Sequence, residues 1–375
     1  MPQNSLLKSL SKPSLNWILI FIPVALVIRF VPSIHNDTIL FVVTGLAIIP
    51  LAGLMGEATD QLARRTGEGI GGLLNATFGN AAELIIGLIA LSKGMTTVVK
   101  ASITGSIIGN ILLVLGMSCL FGGWKFHIQK FNRTAARSSA TLLLLASVAL
   151  VIPSVFHFEA ARIGGWTAAR EQQLSLSIAI VLILTYAASL IFSLGTHKKL
   201  YRGKTSDSTD DEDEKIWPLS KALSMLVIAT VLVAIMSEFL VGTIEAVRSS
   251  LGLTEVFVGV IIIAIVGNAA EHSTAIIMAM RNKMDLTFGI AVGSSLQIAL
   301  FIAPVLVFAS YAFGAPMNFE FSLPEIVAVV FAAGIAGQIS GDGESNWLEG
   351  VQLLSVYVVL AILFYFMPAP IVHLP

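Results

Sequence analysis

Charged residues are scarce in this sequence, and so are cysteines. Asp, Glu, Lys and Arg make up 12% of the 375 residues and hydrophobic residues 56%, whereas about 25% of a typical soluble domain is charged. Cys119, the only cysteine, lies in an apolar segment. A single cysteine cannot form an intrachain disulfide. The net charge of −1 indicates no nucleic-acid partner. We therefore expect a protein that resides in a lipid bilayer.

Long apolar runs predict an all-α polytopic membrane protein. Runs of roughly 17 to 25 apolar residues are long enough to cross the hydrocarbon core. We expect about eleven transmembrane helices, at 15–32, 36–58, 69–92, 97–122, 136–156, 172–195, 218–242, 255–280, 286–313, 322–341 and 347–367. The first is interpreted as a retained helix, because no small-residue cleavage site follows it and Arg29 interrupts its far end.

One five-residue stretch occurs twice in the chain. Residues 79–83 read Gly-Asn-Ala-Ala-Glu and return as residues 267–271, and the same offset of 188 carries Gly105-Ser106 onto Gly293-Ser294. If the first helix is extra, the remaining ten divide into two five-helix repeats. An odd number of crossings inverts the second repeat relative to the first. We therefore expect broken core helices that approach the middle of the membrane from opposite faces.

The predicted organisation has four parts. Residues 1–35 form the cytosolic N-terminus and the extra first helix, 36–195 the first repeat, 196–217 an acidic cytosolic linker, and 218–375 the second repeat. Two interpretations of the linker stay open, a solvated connector or a segment that attracts Ca²⁺ through its carboxylates. The linker lacks the ligand spacing and the internal glycine of an EF-hand loop.

The distribution of basic residues predicts the orientation of the chain. Of the 22 Lys and Arg residues, 16 fall on one side of the predicted helices and five on the other, with Arg29 inside a helix. The positive-inside rule then places the N-terminus in the cytosol and the C-terminus outside. The short N-terminus favours a prokaryotic cell membrane, and a vacuolar membrane stays open. The sequence is compatible with a homo-oligomer but does not specify one.

Each repeat places one glutamate, Glu83 or Glu271, inside an apolar segment. An ionised side chain at the membrane centre costs about 3 kcal/mol or more unless it is compensated. Glycine beside each glutamate favours an unwound helix, whose carbonyls near Gly79 and Gly267 are then free to bind a cation. Neutral polar groups are supplied by Asn80, Asn268, Ser106, Ser294, Ser295, Asn110 and Gln297. This oxygen-rich set suits a hard cation such as Ca²⁺, and no organic cofactor is predicted.

The two glutamates predict a rule of exchange. Two carboxylates with one divalent ion make a neutral site, and two carboxylates with two protons make a neutral site as well. Because an empty, doubly ionised site is penalised in the membrane, one Ca²⁺ is expected to displace two protons. The pair is expected to titrate as a unit.

Three further ionisable residues lie in or near the apolar segments. Glu57 and Glu238 are interpreted as matching access-path carboxylates that receive protons or ions at a cavity mouth, and the alternative is an interfacial cap. His272 follows Glu271 directly, and because histidine as a residue type titrates near physiological pH, it is a candidate for proton coupling or gating. A plain hydrogen-bonding role in packing is its alternative.

The longest motifs are GNAAELIIGLIAL with GSIIGNILLVLG in the first half, and GNAAEHSTAIIMAMRNKMDLTFGIAVGSSLQIALFIAP in the second. With them the chain resembles the H⁺/Ca²⁺ exchangers, the CAX family of the Ca²⁺/cation antiporter superfamily, over nearly its whole length. The resemblance implies export of cytosolic Ca²⁺ driven by the opposing proton gradient, with Glu83 and Glu271 as central ligands. Sodium-coupled relatives carry an additional acid in the stretch that here holds Gln297 and no carboxylate, which fits the proton branch.

The expected mechanism is alternating access around a fixed site at the middle of the membrane. The first helix of each repeat, with Glu57 and Glu238, would slide or tilt while the core helices stay in place. The alternatives are an exchanger coupled to Na⁺ or carrying another divalent ion such as Mn²⁺, a Ca²⁺ channel, and an intramembrane hydrolase. No HExxH motif or nucleophile constellation accompanies the glutamates, so an enzyme is not predicted.

Overall fold

A computed structural model of the chain describes residues 15–164, 167–197 and 216–368, and most of these residues are helical. The helices are α1 (Trp17–Phe30), α2 (Asp37–Phe78), α3 (Ala81–Ser92), α4 (Thr96–Phe126), α5 (Arg133–Ile163), α6 (Ala168–Thr196), α7 (Leu219–Leu251), α8 (Glu255–Gly267), α9 (Ala269–Met280), α10 (Met284–Ala312), α11 (Leu323–Ile339) and α12 (Trp347–Phe366). The acidic part of the predicted linker lies outside the described residues.

Seven of the described helices are long and apolar enough to cross a membrane, and α8 with α9 forms a further span that is bent by 60°. Helices α1, α3 and α11 are apolar but shorter. The predicted all-α polytopic membrane fold is confirmed. The count of eleven transmembrane helices stays a prediction, because α3, with 12 residues, is shorter than a membrane span and α11, with 17, only reaches the lower limit.

Side-chain caps and glycines set several helix ends. Asn132 accepts hydrogen bonds from the first backbone N–H groups of α5, and Asn346 forms a capping box with Glu349 at the start of α12. Helices α5 and α7 end at Gly164 and Gly252, whose positive φ angles of 80° and 66° are strained for other residues. The apolar segments are therefore delimited by local chemistry as well as by hydropathy.

The sequence predicts a non-helical connection between the apolar segments 36–58 and 69–92, whereas the structure has one continuous helix there. The backbone is helical throughout α2, from Asp37 to Phe78, rather than leaving helical geometry near residue 60. A Cβ atom on Gly71 would nevertheless lie 2.6 Å from the carbonyl oxygen of Ala63, eight residues earlier. In a straight helix these residues would be about 12 Å apart, so α2 bends sharply between them.

Both repeated Gly-Asn stretches interrupt a helix. Helix α2 ends at Phe78 and α3 begins at Ala81, while α8 ends at Gly267 and α9 begins at Ala269. The two long core helices also match, since each contains a π-helical turn, at Gly109–Val114 in α4 and at Ile298–Ile302 in α10. Such turns widen the helix and occur often at functional sites.

The two halves of the chain pack closely against each other. Helix α4 is the most buried of the long apolar helices, with 83% of its most apolar window covered. It crosses α8 almost backbone to backbone, because a Cβ atom on Gly105 would lie 2.2 Å from the carbonyl oxygen of Val260. Helices α2 and α7, which begin the two predicted repeats, pack along each other. The helix breaks therefore meet in the interior.

A small antiparallel sheet ties the two halves together at one end of the bundle. Strand β1 (Ile128–Lys130) follows α4, and strand β2 (Glu344–Asn346) precedes α12, with Gln129 opposite Ser345. The connections after α4 and before α12 therefore lie on the same side of the bundle. The predicted topology assigns both of them to the cytosolic side.

Candidate ion-binding site at the helix breaks

The helix breaks place one glutamate in each half at the start of a half-helix. Glu83 lies in the first turn of α3 and Glu271 in the first turn of α9. The unpaired N–H groups at a helix N-terminus favour a negative charge there. The charge of Glu271 acts on Glu83, so the two carboxylates belong to one site.

The carboxylate oxygens are buried without hydrogen-bond donors. Among the described residues, neither oxygen of Glu83 has a hydrogen-bond partner, and Oε2 of Glu271 has none. The side chain of Glu83 packs on the opposite helix break, because a Cβ atom on Gly267 would lie 3.1 Å from Glu83 Cγ. A buried polar group without a partner is costly, so these oxygens require protons or a cation.

An amide–hydroxyl network, formed by Asn80, Ser106, Asn110, Asn268, Ser294 and Gln297, joins the two breaks. Ser294 donates to Asn80 Oδ1 at 2.6 Å, and Asn268 Nδ2 donates to Ser106 at 2.8 Å. The two bonds are equivalent under the repeat offset, since each break asparagine bonds the serine of the other half. The network therefore locks the halves together at the site.

Two members of the network have no polar counterpart in the other half. Asn110 Nδ2 donates to Asn268 Oδ1 at 3.2 Å and to Ser294 at 3.1 Å, whereas the offset places Ile298 at its counterpart. Gln297 accepts a hydrogen bond from Asn80, and its counterpart is Gly109. Within the described structure, Asn110 Oδ1 has no partner. The site is therefore symmetric in its carboxylates but not in its neutral groups.

The remaining predicted site residues lie at different distances from this network. The position of a Cβ atom on Gly79 is 3.5 Å from Gln297 Oε1, so this glycine borders the network. Ser295 is fully buried and donates to Ala291 O of its own helix instead. The Nε2 atom of His272 is buried with no hydrogen-bond partner among the described residues.

The two predicted access-path carboxylates are not related by the repeat offset. The offset of 188 carries Glu57 onto Glu245 rather than onto Glu238. Glu238 forms an ion pair of 2.7 Å with Lys93, which follows α3. Glu57 has an exposed side chain on α2, and Glu245 pairs with Arg248 on α7 at 2.6 Å. The Lys93 partner was not predicted, because 145 residues separate it from Glu238.

The chemistry of the site follows from its donors and acceptors. One carboxylate lies at each helix break, and Asn110, whose Oδ1 has no partner among the described residues, bonds the break residue Asn268. No thiolate is present, since Cys119 is buried elsewhere in α4. Hard cations prefer such oxygen ligands. Protons neutralise the same carboxylates. The arrangement can therefore hold a divalent cation or protons at one place.

Comparison with known proteins gives a consistent result. A profile of the family described as "Sodium/calcium exchanger protein" matches residues 36–195 and 221–366. A Ca²⁺/H⁺ antiporter of Aphanothece halophytica is 46% identical over 364 residues, which cover 94% of this chain and 96% of the relative. The Ca²⁺/H⁺ antiporter ChaA of Bacillus subtilis is 50% identical over 330 residues, which cover 88% and 92%.

Solved structures extend the likeness to the fold. The structure described as native YfkE matches with a TM-score of 0.80 and 44% identity, over 93% of this chain and 98% of that chain. The crystal structure described as the H⁺/Ca²⁺ exchanger CAX shares the fold with a TM-score of 0.67 at 14% identity, over 94% and 91%. This chain belongs to the sodium/calcium exchanger protein family.

Proposed function

We propose that this protein is a Ca²⁺/H⁺ antiporter, which exports cytosolic Ca²⁺ in exchange for protons. The observation that carries the proposal is the pair of carboxylates Glu83 and Glu271, of whose four oxygens three are buried without a hydrogen-bond partner among the described residues. Relatives named as Ca²⁺/H⁺ antiporters, at up to 50% identity over most of the chain, support it.

The exchange follows from charge balance. A Ca²⁺ ion between the two carboxylates gives a neutral site, and so do two protons, whereas the empty site carries two buried negative charges. Binding of Ca²⁺ from one side therefore requires release of both protons. The protein can return without Ca²⁺ only when both carboxylates are protonated again. This requirement couples the Ca²⁺ flux to the proton flux.

The residues around the carboxylates have supporting roles in this proposal. Asn110 Oδ1 and the carbonyl oxygens near Gly79 and Gly267 complete the coordination of Ca²⁺ together with water. The amide–hydroxyl network keeps the two half-helices in register. His272 beside Glu271 accepts or relays a proton during exchange.

The moving parts are the two helices that begin the repeats. Helices α2 and α7 pack along each other and carry Glu57 and Glu238, while α4 and α10 form the interior. Sliding of the α2–α7 pair relative to the core would open one side of the site at a time. The matched helix breaks then stay in place as the fixed site.

The orientation and location of the protein complete the proposal. The N-terminus faces the cytosol and the C-terminus the outside, with 36–195 and 218–375 as inverted repeats around the acidic linker 196–217. The membrane is the cell membrane of a prokaryote, supported by the identity to bacterial relatives. Assembly into a homo-oligomer is compatible with this arrangement.

The proposal is tested by Ca²⁺ flux in proteoliposomes under an imposed pH gradient, with and without Na⁺. Flux should follow the proton gradient, ignore Na⁺ and fall to the background of empty liposomes in Glu83→Gln and in Glu271→Gln. Glu344→Gln is the matched control, because it removes an exposed carboxylate that pairs with Lys130 far from the site. This control should retain wild-type flux.

Other outcomes would replace the proposal. Flux that requires Na⁺ would show a sodium-coupled exchanger, and flux down a Ca²⁺ gradient without proton movement would show a channel. The same assay with Mn²⁺ in place of Ca²⁺ measures the selectivity among divalent ions. Retention of coupled flux in Glu83→Gln would remove the carboxylate pair from the mechanism.

A further inference from the structure

A second cluster of ionisable side chains lies away from the helix breaks. His157 of α5 stands between Glu171 of α6 and Glu320 of the segment before α11. Their ligand atoms lie within 4.8 Å of one another. In the predicted topology this end of the bundle faces the side opposite to the cytosol. No step of the proposed exchange uses these residues.

Both nitrogens of the His157 ring face a carboxylate. Nδ1 lies 2.5 Å from Glu171 Oε1, and Nε2 lies 3.2 Å from Glu320 Oε1. A neutral imidazole has one N–H group, which satisfies one carboxylate, and its other nitrogen then turns a lone pair toward the second carboxylate. Either a second ring proton or a cation between Nε2 and Glu320 removes this repulsion.

We propose that His157 and Glu320, supported by Glu171, bind a divalent transition-metal ion such as Zn²⁺. A metal-binding histidine usually donates its other ring N–H to a carboxylate, which orients the ring. Glu171 has that position, since its side chain is 15% exposed and contacts Nδ1. Glu320 is 38% exposed, so the face toward Nε2 is open to an incoming ion and to water ligands.

The surroundings hold Glu320 in place and give the cluster a negative charge. Asn318 Nδ2 donates to Glu320 Oε2 at 3.2 Å, and Lys100 Nζ donates to Asn318 Oδ1 at 2.5 Å. Glu171, Glu320 and Glu325 all act electrostatically on Lys100. With His157 neutral, three carboxylates and one ammonium leave a net charge of −2, which matches a divalent cation.

The donor set distinguishes this cluster from the site at the helix breaks. Imidazole nitrogen is a good ligand for Zn²⁺ and other transition metals, whereas Ca²⁺ prefers oxygen ligands alone. The carboxylates at the helix breaks suit Ca²⁺, and the His157 cluster suits a softer ion. A bound ion would also connect α5 with the segment before α11, and so would join the two halves on this side.

The test is a Zn²⁺ titration by calorimetry of full-length protein carrying Glu83→Gln and Glu271→Gln, which removes the carboxylates at the helix breaks. We expect one Zn²⁺ per chain, and at least tenfold weaker binding when His157→Gln is added. His35→Gln is the matched control, because His35 faces a single carboxylate, Asp37, at 3.2 Å. It should leave the Zn²⁺ affinity unchanged.

Glu320→Gln provides a second variant if His157→Gln does not fold, and it should weaken Zn²⁺ binding by the same order. The proposal is overturned if the Zn²⁺ stoichiometry and affinity are unaffected by both variants, or if His35→Gln weakens binding equally. Because the titration uses protein without the two glutamates of the exchange site, its result is independent of Ca²⁺/H⁺ exchange.

Discussion

Gly267, in the second half of the chain, leaves space for the side chain of Glu83, in the first half. Gly267 ends α8, and its lack of a side chain leaves the space that Glu83 Cγ occupies. The glycine beside each glutamate in the sequence predicted an unwound helix there. The contact across the halves was not predicted, because the offset relates Gly267 to Gly79 and gives no distances.

We expect Gly267→Ala to impair Ca²⁺ transport without unfolding the protein. The added Cβ atom would lie 3.1 Å from Glu83 Cγ, closer than an ordinary contact, so the carboxylate must shift. Overpacking of this kind costs about 1–3 kcal/mol, which corresponds to a rise of about 5-fold to 150-fold in the Ca²⁺ concentration for half-maximal flux. Proteoliposome flux at varied Ca²⁺ measures it.

Gly289→Ala is the control for this substitution, because a Cβ atom there meets nothing within 4 Å. It lies in α10 and should leave the half-maximal Ca²⁺ concentration unchanged. An unchanged value in Gly267→Ala as well would show that the close packing of Glu83 does not matter for binding.

Asn268 is the member of the network whose loss should cost the most stability. Its side chain is fully buried, donates to Ser106 and accepts from Asn110. Asn268→Ala leaves both partners with unmet hydrogen bonds, and each buried unsatisfied group costs about 1–3 kcal/mol. We expect a lower melting temperature in detergent without Ca²⁺, measured by calorimetry.

The exposed Asn75 on α2 provides the comparison for that measurement. Asn75→Ala should melt within a degree or so of wild type, since surface substitutions usually change stability by less than about 0.5 kcal/mol. Equal melting temperatures for Asn268→Ala and Asn75→Ala would contradict a structural role for the network.

Among the helices, the sequence predicted the two breaks at the Gly-Asn pairs, but it did not predict the bend within α2. The repeated Gly-Asn pair marked both breaks because glycine and asparagine favour non-helical backbone and recur beside a buried carboxylate. The backbone of α2 stays helical through its bend between Ala63 and Gly71. Hydropathy does not distinguish such a bend from a gap between two helices, and it predicted a gap. The π-helical turn at Gly109–Val114 has no compositional signal that separates it from an ordinary apolar helix.

The ion pair between Lys93 and Glu238 links α3, which carries Glu83, to α7, one of the two helices proposed to move. We expect Lys93→Gln and Glu238→Gln each to change the apparent Ca²⁺ affinity at the face where α3 ends. Both side chains are partly exposed, at 32% and 53%, so the pair contributes about 0–1 kcal/mol and the change should be at most about fivefold. Ca²⁺ titrations of vesicles of known orientation measure this effect.

A charge-exchanged variant, Lys93→Glu with Glu238→Lys, should recover most of the lost affinity. Glu245→Gln serves as the control, because Glu245 pairs with Arg248 within α7 and joins no second helix. If Glu245→Gln has the same effect as Glu238→Gln, or if the exchanged pair recovers nothing, the link between α3 and α7 is not what controls affinity.

For the whole molecule, the duplication accounts for the two equivalent asparagine–serine hydrogen bonds between the halves, but not for every bond of the network. The offset alone relates the bond between Asn80 and Ser294 to the bond between Asn268 and Ser106, and both are present. It does not account for Asn110, whose counterpart is Ile298. The copies differ at this neutral residue, and both hold the carboxylate, which sets the charge of the site.

That charge determines whether the complete transport cycle moves net charge across the membrane. In the proposed function Glu83 and Glu271 together bind one Ca²⁺ or two protons, so the exchange should be electroneutral. A potassium diffusion potential of about 100 mV, imposed with valinomycin, should leave the final Ca²⁺ gradient unchanged at a fixed pH gradient. Each net elementary charge moved per cycle would instead contribute about 2.3 kcal/mol per 100 mV, or roughly a 50-fold change in that gradient. Such a change would require a third proton site besides the two glutamates, for which His272, buried beside Glu271, is the first residue to substitute.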